Sequence, residues 1–172
     1  ALSASELIRK AKFENLSASE ITFATLEHIK KVNSDLNAIV DDMSNEAIRR
    51  AEDLDFKAKS GMPKGALFGV PVTIKINVDQ KGHATSNGVT ALKDLIAKTN
   101  APIVDHLKRA GAVFVGRTNT PEFSFRADTE NPLHGRTHNP WGKHLSPGGS
   151  SGGASSAVMS GMCALANGND IG

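Results

Sequence analysis

The sequence predicts an α/β fold that begins with a set of N-terminal helices. Over the first 60 residues, serine and glutamate capping signals precede segments whose apolar residues recur with helical spacing. From Leu67 onward, strand-like apolar runs alternate with helical segments, which is typical of α/β domains. A length of 172 residues is ample for one compact domain with its own hydrophobic core and marginal for two.

Two helices are predicted at the start of the chain. The tetrapeptide Ser-Ala-Ser-Glu occurs at residues 3–6 and again at 17–20, and each copy fits a capping box at a helix N-terminus. In the second helix, Ile21, Leu26 and Ile29 lie close to one face. This helix is therefore expected to pack against a larger body.

The remaining elements follow from apolar runs and from glycine and proline signals. In order, we predict a helix from Ser44 to Gly61, a strand over residues 67–76, a helix from Pro102 to about Gly111, a short buried strand over 112–116, a long loop over 131–153, a short helix over 155–161 and a strand around Cys163. The loop is rich in Pro, Gly, Asn and His. A loop of this length is expected to be either ordered for function or disordered.

Composition argues against several classes of function. The 20 basic and 18 acidic side chains give a net charge of +2, and no basic block is long enough to follow a nucleic-acid backbone. No apolar run approaches the roughly 18 residues of a membrane span, and the N-terminus lacks the layout of a signal peptide. We therefore expect a cytoplasmic protein without nucleic-acid or membrane partners. The single cysteine, Cys163, is expected to have a packing role.

A glycine-rich segment and a distant lysine together indicate hydrolytic chemistry. Residues 148–153 read Gly-Gly-Ser-Ser-Gly-Gly, and glycines around two hydroxyls allow backbone conformations that a Cβ would forbid. Lys75 lies in an otherwise uncharged apolar run, where it shares a strand face with Thr73 and Asn77. A lysine can act as the base for a serine if burial lowers its pKa from about 10.4 by several units.

Each of these features also has a purely structural interpretation. Lys75 could be an exposed lysine at the end of a strand. Residues 148–153 could be a flexible linker, whereas a phosphate-binding loop fits less well because no lysine follows the glycines. His134 and His138 have i, i+4 spacing, but neighbouring glycine and proline disfavour a helix, so loop polarity explains them better than metal binding.

Four segments of the chain, taken together, resemble the landmarks of amidase signature family enzymes. They are Gly-Val-Pro-Val-Thr-Ile-Lys at 69–75, Gly-Ala-Val-Phe-Val-Gly-Arg-Thr-Asn at 111–119 with Pro-Glu-Phe at 121–123, Asn-Pro-Trp at 139–141, and Ser-Pro-Gly-Gly-Ser-Ser-Gly-Gly at 146–153. The resemblance extends over most of the chain. It implies the N-terminal part of the amidase signature fold, in which a mixed β-sheet is covered by helices.

The resemblance also implies a Ser-cisSer-Lys triad and an acyl-enzyme mechanism. Lys75 would be the base, Ser150 the bridging serine after a cis peptide bond, and Ser151 an orienting residue. The backbone amides of Ile171 and Gly172 would begin the oxyanion hole. The nucleophilic serine is expected two residues beyond the last residue of the sequence. No metal or organic cofactor is required.

The same resemblance implies a domain organisation and a set of partners. Residues 1–62 would be N-terminal helices, and residues 63–172 would be the first part of the α/β catalytic core, truncated before the nucleophile. The chain is thus expected to be an incomplete, inactive part of an amidase that acts on a small-molecule amide, with the C-terminal part of the same enzyme missing. A homodimer remains open. The alternatives are a catalytically inactive fragment and the A-type component of a glutamyl-tRNA amidotransferase.

Among the positions that depart from the family pattern, two bear on the site and on the branch of the family. The residue after the lysine is usually Asp and is Ile76 here, so we expect no adjacent carboxylate to stabilise the ammonium form of Lys75. Residues 168–170 read Gly-Asn-Asp where Gly-Thr-Asp is commoner. This second departure favours a stand-alone amidase over the amidotransferase branch.

Overall fold

The computed structural model describes residues 2–170. Its helices are α1 (Ala4–Phe13), α2 (Ala18–Leu36), α3 (Ser44–Lys59), α4 (Pro102–Arg109) and α5 (Gly152–Met159). Its strands are β1 (Ile39–Asp42), β2 (Pro71–Lys75), β3 (Val113–Thr118), β4 (Glu130–Asn131), β5 (Gly135–Arg136) and β6 (Leu165–Ala166). None of the helices within the described residues combines the length and the apolar character that a membrane span requires.

Four strands form one mixed sheet in the order β1-β3-β2-β6. Strand β2 pairs in parallel with β3 on one side and with β6 on the other, whereas β1 runs antiparallel to β3. Strands β4 and β5 form a separate antiparallel pair. Because β2, β3 and β6 are parallel, their carboxyl ends meet at one edge of the sheet. The predicted α/β class, with a mixed sheet and N-terminal helices, is confirmed.

Both predicted capping boxes are present at the N-terminal helices. The hydroxyls of Ser3 and Ser17 each accept a hydrogen bond from the amide of the glutamate three residues later, whose carboxylate accepts from the serine amide. The carboxylate of Asp55 in α3 accepts from the first two amides of α2 at 2.8 and 2.9 Å. A negative charge at this end of a helix complements the helix dipole, so Asp55 ties α2 to α3.

Apolar side chains of the two central strands fill both faces of the sheet. Alternate residues of β3 point to opposite faces, so Val113 and Val115 pack with α2, α3 and α5. Phe114 packs on the other face with Val72 and Ile74 of β2. Complete burial of a valine or isoleucine side chain contributes about 1.5–3 kcal/mol, so the strands that carry the site are held from both sides.

The strand predicted over residues 67–76 is shorter than expected. The chain turns before Pro71, where the amides of Phe68 and Val70 donate to the carbonyls of Gly65 and Leu67. Apolar residues in these turns are buried like strand residues, so the hydrophobic run alone does not separate the turns from the strand.

Two other boundaries differ from the prediction, and one strand was not predicted. The strand expected around Cys163 is confined to Leu165–Ala166, and Cys163 lies before it. The short helix begins at Gly152, three residues before its predicted start. Strand β1 was not predicted, because four residues next to a long helix give too short a pattern.

Side-chain amides and hydroxyls order the long loop. Asn119, which follows β3, donates to the carbonyl of Gly135 and to Thr137 Oγ1, both at 3.1 Å. Asn131 donates to Asn119 Oδ1 at 2.7 Å, and Thr137 donates to the carbonyl of Asn37 at 2.7 Å. The loop is therefore held against α2 and the carboxyl end of β3, the edge of the sheet at which Lys75 lies.

Gly153 allows α5 to approach the end of β3. A Cβ at this position would lie 2.5 and 2.6 Å from backbone atoms of Asn119 and 2.9 Å from the carbonyl oxygen of Ala38.

The substitution Gly153→Ala tests this close approach. Because the backbone of Asn119 or of α5 must shift to admit the Cβ, Gly153→Ala is expected to lower the free energy of unfolding by about 1–3 kcal/mol in urea or thermal unfolding. Gly142→Ala is the matched control, since its Cβ would meet the exposed ring of His144. Equal losses in both variants would contradict this account.

Candidate active site

The carboxyl ends of the parallel strands bring the predicted site residues together. Lys75 is the last residue of β2, and Asn169 follows the end of β6. Ser150 and Ser151 lie immediately before α5, which packs against both strands. Ligands of α/β proteins commonly bind at this edge of a sheet. The lysine and the paired serines, which are distant in the sequence, are neighbours here.

The Lys75 side chain is fully buried, and its amine contacts oxygen atoms of three residues. In its ammonium form, Lys75 donates from Nζ to Ser150 Oγ at 2.7 Å and to Ser151 Oγ at 3.1 Å. It also donates to Asn169 Oδ1 at 3.0 Å and lies 3.5 Å from the Asn169 carbonyl oxygen. The interpretation of Lys75 as an exposed strand-end lysine is wrong, because its exposed fraction is 0%.

Burial lowers the pKa of the Lys75 amine from 10.5 to about 8, and the charge of Asp170 opposes that shift. The expectation that no carboxylate would stabilise the ammonium form is therefore wrong in this respect. Although Ile76 follows the lysine, Asp170 supplies negative charge from the segment after β6. A lysine with this pKa is partly neutral near physiological pH, which is the form that can accept a proton.

Hydrogen bonds and close backbone packing hold the serine pair in place, so the interpretation of residues 148–153 as a flexible linker is wrong. The peptide bond between Gly149 and Ser150 is cis, and the Ser150 carbonyl accepts from Thr120 Oγ1 at 3.0 Å. A Cβ at Gly149 would lie 2.4 Å from the carbonyl oxygen of Arg126. Ser151 Oγ donates to the Asn169 carbonyl at 3.2 Å. Ser151 thus links α5 to the segment after β6.

Three polar residues of the site were not predicted as functional, namely Asn169, Thr120 and Ser124. The amide groups of Asn169 and Asn77 form a reciprocal pair, with Nδ2 of each donating to Oδ1 of the other at 3.0 and 3.1 Å. Asn77 also donates to Ser124 Oγ at 3.0 Å, and that hydroxyl lies 3.0 Å from Thr120 Oγ1. Asn77 was predicted to share the face of Lys75. For Thr120 and Ser124, the available signal was their position just after β3.

Other candidate residues lie away from this cluster or outside the described residues. Burial raises the pKa of the Cys163 thiol to about 11, and its Sγ lies 3.5 Å from Thr73 Oγ1, which fits a packing role. His134 lies in the turn between β4 and β5, and His138 follows β5. No helix joins the two histidines in this part of the structure. Ile171 and Gly172, predicted to begin an oxyanion hole, lie outside the described residues.

Comparison with known proteins decides the family. A family model described as Amidase matches residues 20–172. The chain belongs to the amidase family. This amidase-family chain is 53% identical over 157 residues to an indoleacetamide hydrolase of Bradyrhizobium diazoefficiens, a match that covers 91% of the chain and 30% of the relative. It is 39% identical over 171 residues to the A-type component of the glutamyl-tRNA(Gln) amidotransferase of Carboxydothermus hydrogenoformans, over 99% of the chain and 35% of that relative.

A solved structure shares the fold of the amidase-family chain. A bacterial aryl acylamidase of the amidase signature enzymes superposes with a TM-score of 0.90 at 31% identity, over 94% of the chain and 34% of that enzyme. The resemblance in the sequence to amidase signature enzymes, and the fold that it implied, are confirmed. The chain spans about a third of the length of these relatives.

The buried lysine predicts a pH dependence of stability. Between the folded pKa of about 8 and the ordinary value of 10.5, the unfolded chain holds more protons on Lys75 than the folded chain does. The free energy of unfolding therefore gains a contribution that rises with pH across this window, by up to about 1 kcal/mol per pH unit. Urea unfolding of the wild type and of Lys75→Met from pH 7 to 10 measures it.

The stability of the wild type relative to Lys75→Met should rise steadily as the pH increases through this window. Cys163 is present in both proteins, so its titration cancels in this difference. Parallel pH profiles would show that Lys75 titrates in the folded protein as it does in the unfolded chain.

Proposed function

We propose that this chain supplies the base and the bridging serine of an enzyme that hydrolyses carboxylic amides. The observation that carries the proposal is the 2.7 Å contact between Lys75 Nζ and Ser150 Oγ, made by a lysine that is fully buried. A lysine without solvent contact and with a lowered pKa is suited to take a proton from a hydroxyl. The amidase family of the chain supports the same chemistry.

The proposed reaction is acyl transfer in two stages, with the nucleophilic serine in the residues that follow Gly172. The nucleophile passes its proton to Ser150 Oγ while Ser150 passes its own proton to neutral Lys75. The new bond joins the serine oxygen to the amide carbon, and backbone amides beginning at Ile171 and Gly172 would bind the oxyanion. The C–N bond then breaks as the leaving amine takes the proton back. Water repeats the sequence on the acyl-enzyme and releases the acid.

In this proposal, the chain forms the N-terminal part of the catalytic domain, with residues 1–62 supporting the core formed by residues 63–172. Helices α1 and α2 pack on the same sheet face as Val113 and Val115, so the two parts share one hydrophobic core. The nucleophile and most of the substrate pocket would come from the rest of the protein. The chain alone is therefore expected to be inactive.

Amides with an aromatic group are the substrates to test first. The relative with 53% identity is named for hydrolysis of indoleacetamide, and the solved neighbour is named an aryl acylamidase. A component of a glutamine-dependent amidotransferase is the second candidate, since a relative of that class is 39% identical over 171 residues. Indole-3-acetamide, an anilide and glutamine should be compared as substrates. Hydrolysis of glutamine only, together with copurifying partner proteins, would favour the second candidate.

Substitutions in the full-length protein that carries this segment test the assignment of roles. Lys75→Met and Ser150→Ala are each expected to reduce kcat for amide hydrolysis by at least about a hundredfold, because each removes a step of the proton relay. Ser151→Ala should lower kcat less, since Ser151 only orients the amine. Steady-state kinetics measures these effects.

Ser155→Ala is the matched control for these variants. Ser155 lies in the first turn of α5, close to the serine pair, but its exposed hydroxyl donates to the Ser151 carbonyl at 3.2 Å and makes no hydrogen bond to Lys75. Its kcat should stay within about twofold of the wild type. Retention of full activity by Lys75→Met would refute the proposed base.

A further inference from the structure

We infer that Asn169 is a positioning residue whose side-chain oxygen, held in place by Asn77, turns the lone pair of the neutral Lys75 amine toward Ser150. This inference rests on the proposed function and adds a residue to the proposed site. The inference follows from the number of hydrogen-bond donors and acceptors on each side chain around Lys75.

Ser151 can only accept a hydrogen bond from Lys75. Its hydroxyl has one proton and two acceptor positions. The proton is donated to the Asn169 carbonyl oxygen at 3.2 Å, and one acceptor position is taken by the Asn169 backbone amide at 3.3 Å. The remaining acceptor position faces Lys75 Nζ at 3.1 Å. An N–H of Lys75 must therefore point at Ser151.

A chain of hydrogen bonds with one direction fixes the orientation of the Asn77 amide. Thr120 donates its only proton to the Ser150 carbonyl, so its oxygen must accept from Ser124. The Ser124 oxygen in turn accepts from Asn77 Nδ2 at 3.0 Å. The Asn77 side chain therefore points its nitrogen Nδ2, and not its oxygen Oδ1, toward Ser124.

The orientation of Asn77 determines that of Asn169. The second proton of Asn77 Nδ2 goes to Asn169 Oδ1, and Asn77 Oδ1 accepts from Asn169 Nδ2. The Asn169 side chain therefore presents its oxygen Oδ1, and not its nitrogen Nδ2, to Lys75 Nζ at 3.0 Å. This oxygen carries no proton, so it also can only accept.

These assignments leave one arrangement for a neutral Lys75. A neutral amine has two N–H groups and one lone pair, and the two N–H groups are taken by Ser151 and Asn169. The distance from Lys75 Nζ to the backbone carbonyl oxygen of Asn169, 3.5 Å, is longer than the usual N–H···O bond. The lone pair then faces Ser150 Oγ, the nearest oxygen at 2.7 Å. Proton transfer from Ser150 requires no rotation of the amine.

An asparagine suits this position better than a hydroxyl or a carboxylate would. A threonine or serine hydroxyl could donate its own proton to the lone pair of Lys75 and so compete with Ser150. A carboxylate would stabilise the ammonium form and reduce the neutral fraction. The charge of Asp170 acts on Lys75, whereas the Ser150, Ser151 and Asn169 side chains that contact Nζ are uncharged.

Two isosteric substitutions of Asn169 in the full-length protein test the inference. Asn169→Leu removes the acceptor without adding charge, so kcat should fall about 10–100-fold while KM changes less than about threefold. Asn169→Asp should shift the acid limb of the kcat/KM profile upward by about one pH unit or more, because its charge favours the ammonium form. Asn169→Leu should not shift that limb upward. A purely structural role would not shift the acid limb upward in Asn169→Asp alone.

The matched control is Asn167→Leu, the same substitution two residues earlier. Within the described residues, the hydrogen bond of the Asn167 side chain goes to the Gly168 carbonyl at 3.4 Å, and none goes to Lys75. Its kcat and pH profile should match those of the wild type. Thermal unfolding of every variant separates loss of fold from loss of positioning. If Asn169→Leu does not fold, the pH profile of Asn169→Asp tests the positioning role of Asn169.

The results separate failure of this inference from failure of the proposed function. If the wild type hydrolyses amides and both Asn169 variants keep its kcat and pH profile, the positioning role is refuted and the function stands. If the wild type hydrolyses no amide, the proposed function fails. In that case, NMR titration of ¹³Cε-labelled lysine measures the pKa of Lys75 directly in the wild type and in Asn169→Asp. The Lys75 signal is identified by its loss in Lys75→Met. An unchanged pKa in Asn169→Asp would overturn the inference.

Discussion

The burial of one amine, that of Lys75, constrains the rest of this site. An ammonium group without water is costly to hold, and the cost falls if the group loses its proton or meets several oxygen acceptors. Both solutions are present in this site. The amine is surrounded by oxygens of Ser150, Ser151 and Asn169, and burial lowers its pKa to about 8. The same desolvation that lowers the pKa therefore suits the lysine to the role of base that we propose for it.

Three separate parts of the chain are needed to satisfy this amine. Strand β2 carries Lys75, the segment before α5 carries the two serines, and the segment after β6 carries Asn169. The parallel pairing of β2 with β6 brings the third part next to the first. The absence of a Cβ at Gly149 and Gly153 allows the second part to approach within contact distance of backbone atoms. The proposed chemistry thus depends on the sheet and on the close packing of α5.

Hydrogen-bond direction adds a second level of order to the site. Most of the groups around Lys75 are uncharged hydroxyls and amides, which could in principle point either way. Their direction becomes fixed because Thr120 donates to a backbone carbonyl, which has no proton to return. That constraint passes through Ser124 and Asn77 to Asn169. In our proposal, this neutral network orients the amine without adding charge that would hold its proton.

The sequence alone determined the α/β class, the helix starts at Ser3 and Ser17, the family, and the selection of Lys75, Ser150 and Ser151. These predictions rest on local signals, namely capping boxes, apolar periodicity and contiguous motifs, which are present in the order of the residues. Boundaries such as Pro71 and Gly152 depended on turns and packing that a hydrophobic run does not reveal. Only the tertiary structure decided that Asp170 acts on Lys75 and that Asn169, Asn77, Ser124 and Thr120 form one network. The physical reason is that hydrogen bonds and charge effects depend on distances of a few ångströms between residues far apart in the chain, and those distances exist only after the strands have paired.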